Sequence, residues 1–91
     1  MKIIKDIYNE NSWLQIEICN EQGYFEGLIE IDMEGYGVEH TIEEATYQLK
    51  YDYKINITNE DIHKIEKIYD VSSVSFRIFL KTYWQKVKSM I

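Results

Sequence analysis

The chain of 91 residues has no proline, a single cysteine, four glycines and no long hydrophobic run. Without proline it has no rigid turn residue and no slow prolyl isomerisation step. One cysteine, Cys19, excludes an intrachain disulfide, which fits a reducing compartment. No apolar stretch approaches the roughly 20 residues of a membrane span. The opening MKIIKDIYNEN also lacks the apolar core of a secretory leader, so a cytoplasmic protein is expected. The glycines form no phosphate loop: Gly35-Tyr36-Gly37 is too short and precedes an expected strand, not a helix. There is no GxSxG nucleophile elbow.

Other catalytic chemistry is equally thin. His40, His63 and Cys19 are the soft-metal ligands, and no two stand at a spacing such as CxxC or HxxxH. His40 falls on the apolar side of an expected strand, where a hydrogen-bonded core or edge histidine is the commoner outcome. His63 lies between Ile62 and Lys64 on an expected helix and reads as solvated. Cys19 has no neighbour in sequence that would lower its pKa. Ser72, Ser73 and Ser75 read as turn and cap residues. No carboxylate pair stands in an apolar setting that would raise a pKa for acid–base work. The expectation is a protein that is not an enzyme and needs no cofactor or metal.

What the chain does have is apolar and acidic. Hydrophobic residues make up 45% and aromatics 14%, with eight tyrosines, the composition of a packed globule rather than a disordered tail. A single domain spanning residues 1–91 follows from the length. The net charge of −6 is unevenly spread. Residues 1–57 carry four lysines against twelve carboxylates, a formal −8, and residues 58–91 carry a formal +2. The acidic half is a poor partner for a phosphate backbone.

Alternation of apolar and polar residues marks the strands. It is longest in Tyr47 to Ile57, where Tyr47, Leu49, Tyr51, Tyr53, Ile55 and Ile57 alternate with Gln48, Lys50, Asp52, Lys54 and Asn56. Shorter runs cover Lys2–Tyr8, Trp13–Cys19, Tyr24–Met33 and Tyr36–Ile42. In the first, Ile3 and Ile7 fall on one side, Ile4 and Tyr8 on the other. In the third, Phe25 shares a side with Gly27, Ile29, Ile31 and Met33. Asn20-Glu21-Gln22-Gly23 is a hairpin connection. Thr41-Ile42-Glu43-Glu44 also fits a capping box, so a short helix over residues 42–50 is the alternative there. Thr58 followed by Asp61 starts a helix over Asn59–Tyr69. Ser72 or Ser73 starts a last helix to about Ser89, with Phe76, Phe79, Leu80, Tyr83, Trp84, Val87 and Ile91 on its apolar stripe. The expected fold is α+β: a four- to five-stranded antiparallel β-meander followed by two C-terminal helices packed on one face.

Residues 65–81 loosely resemble a helix-turn-helix. Glu66 stands where such motifs carry a small residue and Asp70 where they carry a turn glycine. The resemblance implies contact with DNA through Arg77 and Lys81, which is too few contacts for firm binding. Direct nucleic-acid binding is therefore the minor expectation.

The sheet surface is the sharper signal. With the apolar sides turned to the helices, the wet face collects Glu17, Glu26, Glu30, Asp32, Glu39 and Glu43. Trp13 and Tyr24 fall on the same side. Like charges on adjacent strands destabilise a sheet by tenths of a kcal/mol per pair, up to about 1. A sequence selected for stability alone would alternate signs. Exposed aromatics beside charge suit a protein interface. The expected function is an inhibitor that covers a basic, nucleic-acid-handling protein surface, as a toxin immunity protein or a phage-encoded anti-defence protein does. A homodimer through exposed strand edges is the remaining alternative.

Overall fold

The computed structural model describes residues 1–71. Their order is β1 (Lys2–Glu10), β2 (Trp13–Asn20), β3 (Phe25–Asp32), α1 (Met33–Tyr53) and α2 (Asn59–Val71). The three strands form one antiparallel meander in the order β1-β2-β3. Both helices follow the sheet, so the domain is α+β. The expected last helix, and the helix-turn-helix resemblance beyond Val71, lie outside the described residues.

The central strand follows its alternation. Leu14, Ile16 and Ile18 have no solvent exposure, and they form the floor of the core. Ile7 from β1, Ile29 and Ile31 from β3, Ala45 and Leu49 from α1, and Ile65 from α2 close over them. The two helices thus share one face of the sheet. Burying a large aliphatic side chain is worth about 1.5–3 kcal/mol, so these few residues hold most of the fold together.

The meander has three strands, not four or five. Tyr36–Ile42 and most of Tyr47–Ile57, expected as strands, belong to α1, and residues 54–57 form no strand. The alternating pattern there is two helical stripes superposed. Ala45, Leu49 and Tyr53 recur every four residues on the core side. Tyr47 and Tyr51 recur likewise on the exposed side, their rings 4.6 Å apart. Offset by two residues, the stripes imitate period two. Polar neighbours choose between the periods. Gln48 donates to Glu44 over 2.9 Å one turn away, and each such pair supports a helix by about 0.2–0.5 kcal/mol. The alternative helix over 42–50 was right in kind and too short at both ends.

Four local devices bound or interrupt the helices. Asp32 caps α1, its carboxylate accepting from the Glu34 amide at 3.1 Å. Gly37 interrupts α1 with φ 73° and ψ 174°, a conformation open essentially to glycine alone. Lys54 ends α1 in the left-handed conformation, its amide bonded to the last carbonyls. The start of α2 has Thr58 as the expected N-cap, and the bonds form a capping box: Thr58 Oγ1 accepts from the Asp61 amide and Asp61 accepts from the Thr58 amide. Thr41, expected as an N-cap, instead lies buried inside α1. Among the described residues its hydroxyl has no hydrogen-bond partner, whereas Thr46 on the same helix bonds back to the Ile42 carbonyl at 2.7 Å.

Bulges reset the faces of both outer strands. Ile4 pairs with Ile18 and Asp6 with Glu17, so Lys5 is an extra residue. Ile4 and Ile7 therefore both turn to the core, and Ile3 and Tyr8 turn away, which corrects the expected grouping. In β3, Ile18 pairs with Gly27 and Cys19 with Phe25, making Glu26 the extra residue. Phe25 consequently leaves the core side and is 69% exposed. Gly27 lets Tyr53 close over the sheet, for a Cβ there would overlap the Tyr53 ring and hydroxyl.

Two substitutions test this packing. Gly27→Ala should lower the free energy of unfolding by about 1–3 kcal/mol through overpacking against Tyr53. Thr41→Val keeps the shape and removes the unpaired hydroxyl, and should raise stability by roughly 1 kcal/mol. Denaturant midpoints at constant m-value check both. A neutral Gly27→Ala contradicts the close approach, and a destabilised Thr41→Val means the hydroxyl has a partner.

Candidate functional site: the outer face of the sheet

Neither described helix packs on the second face of the sheet. Strand register arranges that face in rows. Glu10, Trp13 and Asp32 stand side by side next to the β1–β2 turn. Tyr8, Gln15 and Glu30 form the next row, then Asp6, Glu17 and Leu28, and finally Ile3, Cys19 and Phe25. The face therefore runs from a carboxylate-rich end to an apolar end. Trp13 and Cys19 are six residues apart on β2, about 20 Å at strand rise. Trp13, Leu28, Ile3 and Phe25 all remain substantially exposed. Cys19 is buried by its neighbours but is no part of the core cluster.

The carboxylates of this face are held by neutral donors. The Tyr8 hydroxyl donates to Glu17 over 3.0 Å. The Gln15 amide donates to Glu30 over 3.4 Å. Asp6 accepts from the Ile7 amide at 2.9 Å, and Asp32 caps α1. Such bonds orient a carboxylate without cancelling its charge. The salt bridges among the described residues join the N-terminus to Glu21 and His63 to Glu66, and neither lies on this face. Asp6 and Glu17 even stand directly opposite each other, an arrangement that costs a sheet tenths of a kcal/mol.

Tyr8 reports the resulting field. Its phenol is pushed above the ordinary tyrosine value. The hydrogen bond to Glu17 is the first cause, then partial burial, then the negative charges of Glu17, Glu10 and Asp6. Three carboxylates from two strands thus act on one hydroxyl.

Of the residues expected to bind a partner, Trp13, Glu17, Glu30 and Asp32 come together on this face. Glu26 is exposed at the β3 bulge, and Tyr24 is exposed in the β2–β3 turn, with its amide bonded to the Asn20 side chain. Glu39 and Glu43 do not join them: both are exposed on α1, because their segment is helical rather than a fourth strand. His40 is likewise exposed on α1, edge-on to Tyr36 at 6.4 Å, and is neither a core nor a sheet-edge residue. Sequence reasoning missed Asp6, Tyr8 and Glu10. Their common even parity was a visible signal, obscured by the bulge at Lys5.

Elsewhere the chemistry is bound up with the fold. A groove of about 760 Å³ between the start of β1 and the α1–α2 connection contains Lys2, Tyr53 and Asp61. Lys2 lies over the Tyr53 ring at 5.5 Å, and Asp61 serves the α2 capping box. Among the described residues no group of three His, Cys, Asp or Glu side chains is placed to hold a metal ion. No described helix is long and apolar enough to cross a membrane. Compared with protein-family models, with curated proteins and with solved structures, the chain matches none of them.

The Tyr8 environment has a pH consequence. A raised folded-state value means that protonated Tyr8 favours the fold below the unfolded tyrosine value near 10. That contribution is lost as pH rises through the folded value. In a spectrophotometric titration Tyr8→Phe should remove a late-titrating phenol, and Glu17→Gln should move that phenol back toward the ordinary range. If Glu17→Gln leaves the tyrosine titration unchanged, the bond does not form in solution.

Proposed function

We propose that the protein is a small acidic inhibitor that binds a basic protein surface through the outer face of its sheet. The observation that carries this reading is a field of carboxylates held by neutral donors beside exposed Trp13. Asp6, Glu10, Glu17, Glu30 and Asp32 stand on three neighbouring strands with no salt bridge among the described residues. A fold selected only for stability would pair them with lysines. Exposed aromatic and apolar side chains on the same face supply contact area that charge alone lacks.

Basic clefts in cells are commonly those that hold nucleic acid, and carboxylates can stand there in place of phosphates. A toxin nuclease or a defence enzyme is the partner class we infer, so that the chain acts as an immunity or anti-defence protein. No catalytic role is part of this reading, and direct nucleic-acid binding is disfavoured by the sign of the face. Edge-to-edge dimerisation is also disfavoured. Both outer strands carry a bulge, and the one in β1 is at a lysine. Such features discourage strand addition.

Copurification from the source cell identifies the partner, and charge reversal then tests the face. Glu17→Lys with Glu30→Lys should slow association at least about tenfold at low salt, with a smaller effect at high salt. Glu39→Lys with Glu43→Lys, on α1, should change it far less. Equal effects of the two pairs would move the interface off the sheet.

A further inference from the structure

Resting on that reading of the outer face, we infer that the row Glu10–Trp13–Asp32 is a seat for an arginine side chain of the partner protein. The three residues come from three strands but share one register line. Glu10 pairs with Trp13, and Trp13 with Asp32. Adjacent strands lie about 4.8 Å apart, so Glu10 and Asp32 stand roughly one strand spacing to either side of Trp13. Trp13 is 44% exposed and Glu10 is exposed. Neither carboxylate is in a salt bridge among the described residues. Asp32 uses Oδ1 to cap α1, which fixes the carboxylate.

The chemistry selects arginine over other ligands. An anion meets two carboxylates and is repelled. A lysine ammonium is attracted as a point charge, but it is strongly hydrated and has no plane to lay on the indole. A guanidinium is planar and less hydrated. It stacks on an aromatic face and turns its fork of N–H donors outward in its own plane. On Trp13 that fork meets a carboxylate at either side, a charge-assisted pair. The seat lies at the acidic end of the face, next to the exposed β1–β2 turn, and the apolar Ile3–Cys19–Phe25 row lies at the far end. A partner therefore presents its arginine at one end of the contact and apolar side chains at the other.

Trp13 is its own reporter once Trp84 is replaced. In the full chain carrying Trp84→Phe, acetyl-tetra-arginine amide is titrated at low salt, with acetyl-tetra-lysine amide alongside. The arginine peptide should change Trp13 emission and bind about tenfold more tightly than the lysine peptide. Glu10→Gln should remove most of that preference. The indole N–H resonance of Trp13 in the unaltered chain, assigned with Trp13→Phe, gives the same measurement if the Trp84 variant folds poorly. Equal binding of the two peptides overturns the inference in favour of general charge attraction. Binding that leaves Trp13 unperturbed, or no binding, also overturns it. If partner association still depends on Glu17 and Glu30 in those cases, only the arginine seat fails. If that dependence is absent as well, the reading of the outer face fails with it.

Discussion

Leu14, Ile16 and Ile18 on the central strand are wholly removed from water, and the rest of the domain is arranged around keeping them so. A three-stranded sheet cannot bury its own face. The next 39 residues, Met33 to Val71, supply the cover as two helices. α1 starts directly from the end of β3, its cap being the last residue of that strand. Its core stripe then lies across the β3 side while α2 covers β1 through Ile65. With so small a core, losing one large aliphatic contact removes a sizeable part of the total stability.

The covered face imposes the character of the other. Each residue between Leu14, Ile16 and Ile18 must point away from the helices, and so Trp13, Gln15, Glu17 and Cys19 face outward together. Bulges in β1 and β3 then decide which neighbours they meet. Without the extra Lys5, Ile7 and Asp6 would exchange faces and the core would receive a carboxylate. Without the β3 bulge, Glu26 would stand beside Cys19 and Phe25 would point inward. The acidic surface and the apolar core are thus two consequences of one register.

The carboxylates of the outer face are fixed without being neutralised. A salt bridge would fix a carboxylate and cancel its field. Tyr8 and Gln15, and the Ile7 and Glu34 amides, fix four of them and leave the charge available. Tyr8 shows that the charges act together, since groups from both β1 and β2 oppose its ionisation. A cationic partner would relieve that repulsion on binding, so part of the cost carried by the free fold returns as affinity. This is the physical reason to read the face as an interface rather than as a solvated surface.

The strands β1 to β3, the Asn20–Gly23 connection, the Thr58 N-cap and α2 were legible in the chain, because short-range alternation and capping chemistry specify them locally. Four members of the site, Trp13, Glu17, Glu30 and Asp32, were legible for the same reason. The segment from Met33 to Tyr53 was not. Two tyrosine and core stripes separated by two residues satisfy a strand period and a helix period alike, and local pattern cannot rank them. The cover that Leu14, Ile16 and Ile18 require ranks them, through Ala45 and Leu49. Nor could alternation reveal the bulges, which arise from pairing between strands. Composition and local pattern therefore determined an acidic α+β chain with a one-sided sheet, and only the tertiary register decided which carboxylates share a surface, since that depends on what each strand finds opposite it.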